Sequence, residues 1–411
     1  MFEKPVAIVL GGIIPHGEVI KKLKARGYYT VLVDYSDNPP AASIADVHSK
    51  ESAMDYEAVL KLAETYEAKI VMSPCLDQQM VIAMKVCEAL GLFHPISSET
   101  ALNVTNKKNM KRIMMEKGIK TARYYHVANM SELNNIELEY PIIIKPVDGC
   151  GSAGVEKVYT EKDMRAAVGR ALDFSRSSAA IVEEFQEGNE ISAYTYICNG
   201  KAHLLTVSQR VSDFSDNRTI CYGVINPPVI SETLRKNLIL TAEKIADVFC
   251  LDNTPLFYQS MVKNDEVSII EFSPRMGGGI GYRVIQISSE IDVLELAISS
   301  YLGEEPEINI TPTGTHMHIQ QLFCKDGIFS RVEGTEMIES IGAELLMLKC
   351  QGAHIDSSKP SNSKVASLII KGSSDSECEE KLKRIWPAIK ILDSNENDML
   401  NRKLSLVNLY Y

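Results

Sequence analysis

Ile269-Ile270-Glu271-Phe272-Ser273-Pro274-Arg275-Met276-Gly277-Gly278-Gly279 is the stretch that decides the fold of this chain. An apolar strand ends in a carboxylate, an arginine follows, and a glycine run closes the segment. Upstream, Leu256-Phe257-Tyr258-Gln259 is a second apolar run, and Lys263-Asn264-Asp265-Glu266 between them has turn composition. Together they predict a β-hairpin with Gln259 and Glu271 side by side. Both side chains offer oxygen. That suits Mg²⁺, which takes few protein ligands and fills its shell from water and phosphate. Arg275 is expected beside the metal, where a guanidinium grips an anion bidentately. Taken alone, the same residues also describe a surface hairpin with scattered charges. The segments further upstream weigh against that.

Gly149-Cys150-Gly151-Ser152-Ala153-Gly154 follows the apolar run Ile142-Ile143-Ile144-Lys145-Pro146 and precedes the alternating Val155-Glu156-Lys157-Val158-Tyr159. A glycine loop between two strands is a flap, and its backbone N–H groups can close over phosphates as a nest. Its mobility suits a lid that excludes water during phosphoryl transfer. No G-x-x-x-x-G-K-[ST] loop occurs in the chain. Lys107 and Lys145 are the candidate phosphate lysines. Lys145 ends an isoleucine strand before a proline, so its head group is directed rather than free. Ile181-Val182-Glu183-Glu184-Phe185-Gln186-Glu187-Gly188-Asn189-Glu190 runs from a strand into a polar turn. Such a turn can hold an adenine by backbone groups, with Phe185 as apolar contact and Glu190 on ribose hydroxyls. The alternative there is an acidic surface turn.

Outward from these motifs, strands alternate with helices over residues 1–95. Val6–Leu10, Tyr29–Val33 and Ile70–Ser73 read as strands. Glu18–Arg26, Tyr56–Tyr66 and Gln78–Leu90 read as helices, so a parallel sheet is expected. Thr105-Asn106 offers a cap for a helix over Lys107–Lys117, stopped by Gly118. After Glu304-Glu305-Pro306 the pattern becomes α+β, expected as a separate module, and Ser357–Ser363 reads as a mobile loop. Gly11-Gly12 and Gly17 before a helix, with Asp34 ending the next strand, invite a dinucleotide site. Their spacing misses G-x-G-x-x-G, and a tight strand-to-helix turn is the better account.

The 411 residues allow two to three domains. The net charge of -11 and the lack of a basic stripe argue against nucleic acid. The 9 cysteines contain no C-x-x-C pair, so free thiols are expected rather than a zinc site or disulfides. No signal-peptide layout and no apolar run near the ~20 residues of a membrane span is present. A cytoplasmic protein is expected.

In this order the motifs resemble the ATP-grasp superfamily, in the branch of biotin carboxylase, carbamoyl phosphate synthetase and amino-acid ligases. The resemblance implies a mixed α/β and α+β fold: an N-terminal parallel α/β domain (1–95), a two-lobed ATP domain (96–305, lid lobe about 120–190) and a C-terminal α+β domain (306–411). It implies ATP with Mg²⁺, or Mn²⁺ in its place. Lys107 and Lys145 would meet the phosphates under Gly149, Gly151, Ser152 and Gly154. Glu183, Glu184, Phe185 and Gln186 would form the adenine hinge and Glu190 the ribose contact. Gln259, Glu271 and Ser273 would hold metal. Ser273 stands where many members carry Asn, which puts a second metal in doubt. Arg275 and Arg210 would steady the anionic intermediate, and Gly277, Gly278 and Gly279 would approach the substrate. The implied activity is an ATP-dependent carboxylate–amine ligase on small molecules, working through an acyl phosphate, as a homodimer. Phosphoribosylglycinamide synthetase-like and biotin carboxylase-like enzymes are the near alternatives. An NAD-linked oxidoreductase and a non-catalytic ATP-binding protein are the distant ones.

Overall fold

The computed structural model describes residues 3–149, 154–213 and 219–410. The chain opens with β1 (Val6–Leu10), α1 (Ile14–Ala25), β2 (Tyr29–Val33), β3 (Val47–Ser49), α2 (Tyr56–Thr65), β4 (Ile70–Met72) and α3 (Asp77–Leu90). The strands form a parallel sheet in the order β3-β2-β1-β4. Every residue of β1 is buried, as expected of a central parallel strand covered on both faces. The glycines before α1 are explained by packing. Gly11 has φ +99°, and a Cβ there would sit 2.8 Å from His16; a Cβ on Gly12 would sit 2.4 Å from Pro39. The space that a dinucleotide fingerprint keeps open for pyrophosphate is filled by side chains here.

Two short helices follow, α4 (Ser98–Thr105) and α5 (Lys107–Glu116). Asn106 caps α5, its side chain accepting from the N–H groups of Lys108 and Asn109. This fixes Lys107 as the first helical residue. Next come β5 (Tyr124–Val127), β6 (Ile142–Pro146), β7 (Glu156–Val158), α6 (Glu161–Phe174) and β8 (Ala180–Glu184). Their antiparallel sheet, β5-β8-β6-β7, packs on α6 around a small core of its own that includes Ile142, Ile144, Met164, Val168 and Val182. Alternation along β6 sends Ile142 and Ile144 into that core. It leaves Ile143 and Lys145 on the opposite face, directly across from Glu183 and Ile181 of β8.

The remaining strands are β9 (Asn189–Cys198), β10 (Lys201–Asp213), β11 (Ile220–Asn226), β12 (Thr254–Lys263), β13 (Glu266–Ser273), β14 (His316–Phe323), β15 (Gly327–Glu333), β16 (Glu344–Met347), β17 (His354–Ile355), β18 (Lys364–Gly372) and β19 (Lys390–Asp393). Interspersed are α7 (Glu232–Phe249), α8 (Gly281–Ser289), α9 (Val293–Leu302), α10 (Thr335–Ser340), α11 (Pro360–Ser363) and α12 (Asp375–Ile385). The main sheet runs β13-β12-β9-β10-β11-β14-β18-β16. The module expected to stand apart after residue 306 is therefore stitched to the centre: β14 pairs with β11 from Gly223↔Gln320 to Asn226↔Met317. It does keep its own core, around Leu322, Val365, Leu382 and Trp386. The segment Ser357–Ser363, read as a loop, contains the helical turn α11.

Candidate active site

The hairpin of β12 and β13 pairs Gln259 with Glu271 and Tyr258 with Phe272. On the far side the register jumps to Ser260↔Ile269, which leaves Ile270 as an extra residue. Such a bulge re-aims neighbouring side chains, and Ile269, Ile270 and Glu271 all line one cavity of about 390 Å³. Lys107, Lys145, Gly149, Glu183, Glu184, Phe185, Gln186, Glu190, Arg210 and Gln259 line the same cavity. Residues from α5, the β6–β8 lobe, the main sheet and the hairpin thus converge on a single concavity.

Opposite charges alternate across its floor. Arg210 Nε donates to Glu190 Oε1 at 2.6 Å. With its amide turned to satisfy both neighbours, Gln259 accepts from Arg210 Nη1 (3.0 Å) and donates to Glu271 Oε1 (2.9 Å). Glu271 Oε2 lies 3.5 Å from Lys107 Nζ, which donates to the Gly149 carbonyl at 2.6 Å. Lys107 thereby ties α5 to both the hairpin and the start of the glycine flap. Gly151 and Ser152 of that flap lie outside the described residues. Gly154 has φ +73°, a backbone conformation that favours glycine.

A second cluster lies deeper. Lys145 Nζ donates to Glu183 Oε1 at 2.6 Å, and Lys111 Nζ lies 2.8 Å from Glu183 Oε2. Burial pushes the Lys145 ammonium down to about 8, against the attraction of Glu183. Burial alone would raise the Glu183 carboxyl; Lys111 and Lys145 outweigh it and hold it at about 2. The side chain of Glu183, expected in a backbone hinge, thus serves as a shared counter-ion. In that hinge Glu184 Oε1 accepts from the Arg123 N–H at 3.0 Å, and the Phe185 ring is covered by Lys157 Nζ at 3.4 Å from its centroid.

Arg275 is placed differently from the expectation. It does not line the cavity. Its guanidinium forks onto Asp77, Nε to Oδ1 at 2.8 Å and Nη2 to Oδ2 at 2.7 Å, and Nη1 donates to the Met276 carbonyl. Burial works against the Arg275 charge, and Asp77 more than offsets it. Ser273, expected on a metal, is 4% exposed and donates its hydroxyl to the same Asp77. Gly277 packs under a neighbour: a Cβ there would sit 2.8 Å from the Tyr194 ring. Gly278 and Gly279 also stand outside the cavity wall.

The donor set suits a cation that brings most of its own ligands. Glu271 is 40% exposed along its side chain, Gln259 adds one amide oxygen once Arg210 lets go, and no group of three His, Cys, Asp or Glu placed to hold a metal ion is present among the described residues. Two functional candidates escaped the sequence. Lys111 follows Lys107 at the i,i+4 spacing that shares a helix face, and that spacing was the available signal. Asp77 follows the C-terminal end of β4, where open α/β sheets build ligand sites, but its partner is 198 positions away.

Residues 138–283 match the ATP-grasp domain family. The chain carries an ATP-grasp domain. Over 228 residues it is 28% identical to a D-alanine–D-alanine ligase of Sulfurovum sp., covering 51% of this chain and 60% of that ligase, less than two thirds of its length. Over 301 residues it is 26% identical to a formate-dependent phosphoribosylglycinamide formyltransferase of Methanocaldococcus jannaschii, covering 70% of this chain and 73% of that enzyme. In fold, the L-amino acid ligase from Bacillus licheniformis superposes with a TM-score of 0.81 at 19% identity, over 96% of this chain and 100% of that one. The ATP-grasp match covers the lobe of β6–β8, the central strands β9–β13 and the hairpin, which are the elements that supply most of the cavity wall. No helix among the described residues is long and apolar enough to cross a membrane.

Proposed function

We propose that this ATP-grasp protein is an ATP-dependent carboxylate–amine ligase of the amino-acid or peptide type. One observation carries the proposal: Lys107 and Lys145 share a cavity with the Gln259–Glu271 hairpin and Arg210. A carboxylate is a poor electrophile toward an amine. Its oxygen attacks the γ-phosphorus of ATP, the bond to ADP breaks, and an acyl phosphate forms. The amine then attacks the acyl carbon, phosphate leaves, and the amine gives up a proton. Such chemistry asks for charge neutralisation and alignment more than for covalent help.

Each residue has a task in this scheme. Lys107 and Lys145 neutralise and orient phosphate oxygens. Glu183 to Gln186 and Glu190 hold the nucleoside. Arg210, released from Gln259 and Glu190, steadies the acyl phosphate. Arg275 stands beyond the cavity wall; its task is the substrate carboxylate, which would take over part of its contact with Asp77. Mg²⁺, or Mn²⁺, would be held by Glu271 and Gln259 and would screen charge between the phosphates. Ser273 is left to Asp77. We also propose small-molecule acid and amine substrates and a homodimeric assembly.

The test is ADP release from the full chain with Mg-ATP, screened against pooled amino acids and amines, with Lys145→Ala and Glu271→Ala as controls. ADP release that needs both an acid and an amine supports the ligase. Retention of full turnover by both variants overturns the assignment. The 26% identity to the formyltransferase over 301 residues favours one second reading, so a formate and glycinamide-ribonucleotide arm belongs in the same screen.

A further inference from the structure

Glu183 is a single carboxylate between two buried lysines. Lys111, Lys145 and Glu183 are 1%, 4% and 6% exposed. The Lys111 ammonium is fixed from further directions. It donates to the Thr121 hydroxyl at 2.9 Å, which in turn donates to the Ile269 carbonyl at 2.7 Å, and it stands over the Tyr124 ring at 5.4 Å. These contacts hold it against Glu183. Lys145 projects from β6 on the cavity face, beside Ile143.

Two positive charges and one negative leave the cluster with a net charge of one. Lys111 also borders the cavity, but it is the more deeply buried of the two lysines and is pinned by Thr121 and Tyr124, so the surplus is presented at Lys145. We propose that Lys111 is a positioning residue that balances Glu183 and so leaves Lys145 with an uncompensated charge for the nucleotide phosphates. This rests on the nucleotide reading of the cavity given above. Without Lys111, Glu183 and Lys145 form a neutral pair, and a phosphate meets a dipole instead of a charge. At an effective dielectric of about 20, one unit charge at roughly 6 Å changes affinity by on the order of a hundredfold. A purely mechanical pin between α5 and β8 predicts something else: any neutral replacement loosens the whole site, adenosine binding included.

Calorimetric titration of the full chain with adenosine, ADP and Mg-ATP separates the two, with thermal melts to confirm folding. Lys111→Met is expected to weaken ADP and ATP by about tenfold or more and to leave adenosine within about twofold. Lys111→Arg keeps all three. Glu183→Gln is expected to tighten ADP, because it removes the counter-charge, and Lys111→Met/Glu183→Gln to recover most of what Lys111→Met loses. Parallel loss of adenosine and ATP in Lys111→Met, or weaker ADP binding by Glu183→Gln, overturns the inference. Should Lys111→Met fail to fold, the sign of the Glu183→Gln effect decides. A wild-type chain that binds no nucleotide overturns the cavity reading and this inference with it; wild-type binding unaffected by Lys111→Met overturns the inference alone.

Discussion

Asp77 and Arg275 are joined through two parallel hydrogen bonds, and in the proposed scheme a substrate carboxylate replaces one of them. Lysine keeps the charge but not the fork. Arg275→Lys is therefore expected to lower kcat/KM for the acid by about a hundredfold, while the Kd for Mg-ATP changes by less than about threefold. Steady-state kinetics and calorimetry check the split, and an equal loss in both would place Arg275 on the nucleotide instead. Glu271→Gln is expected to cut ADP release by about a hundredfold or more and to raise the Mg²⁺ concentration needed for half-maximal rate. Gln259 and Glu271 were legible because a short turn sets the register of a hairpin, and register sets which side chains meet. Asp77 and Lys111 were not. Asp77 meets its partner only in the folded chain, and for Lys111 the i,i+4 spacing from Lys107 shows a shared helix face but not Glu183, its partner from a distant strand.

At the scale of elements, β6 and β8 place Lys145 against Glu183, and the pair sets two pH limits. Lys145 has its protonation pushed down to about 8 by burial. Its charge is present below that value and lost above it, so kcat/KM for ATP, which reports the free enzyme, is expected to fall as pH rises through about 8. Glu183 is held at about 2, below the ordinary carboxylate range. Its stabilising contribution is complete above that ordinary range and disappears as pH falls toward 2. Acid titration of the melting temperature should show this, and Glu183→Gln should flatten it. The turn into β9 depends on Gly188, which has φ +140° and would bring a Cβ within 2.4 Å of the Val262 carbonyl oxygen. Gly188→Ala is expected to lower stability by about 1–3 kcal/mol, measured by urea unfolding; an unchanged midpoint would show that the turn relaxes. The strands here were readable from alternation and flanking turns. The early start of α1 at Ile14 was not, because the helix begins under a proline before its amphipathic pattern does.

Over the whole molecule, the sequence signals were strongest where secondary structure alternates regularly and weakest where sheets join. The N-terminal parallel sheet followed from its strand-helix rhythm. That β14, β16 and β18 would extend the central sheet did not follow, because strand pairing between distant segments leaves no local trace. The expected homodimer is checked by light scattering, which should return the mass of two chains, and a single-chain mass would remove it. The junction of the parts also bears on how such a protein can be divided. A fragment cut away before residue 96 takes Asp77 with it and strands a guanidinium. A cut near 306 strips β14 from β11 and bares a row of unsatisfied amides. Each piece, moved to another scaffold, would need a new partner for Arg275 or a new edge for β11.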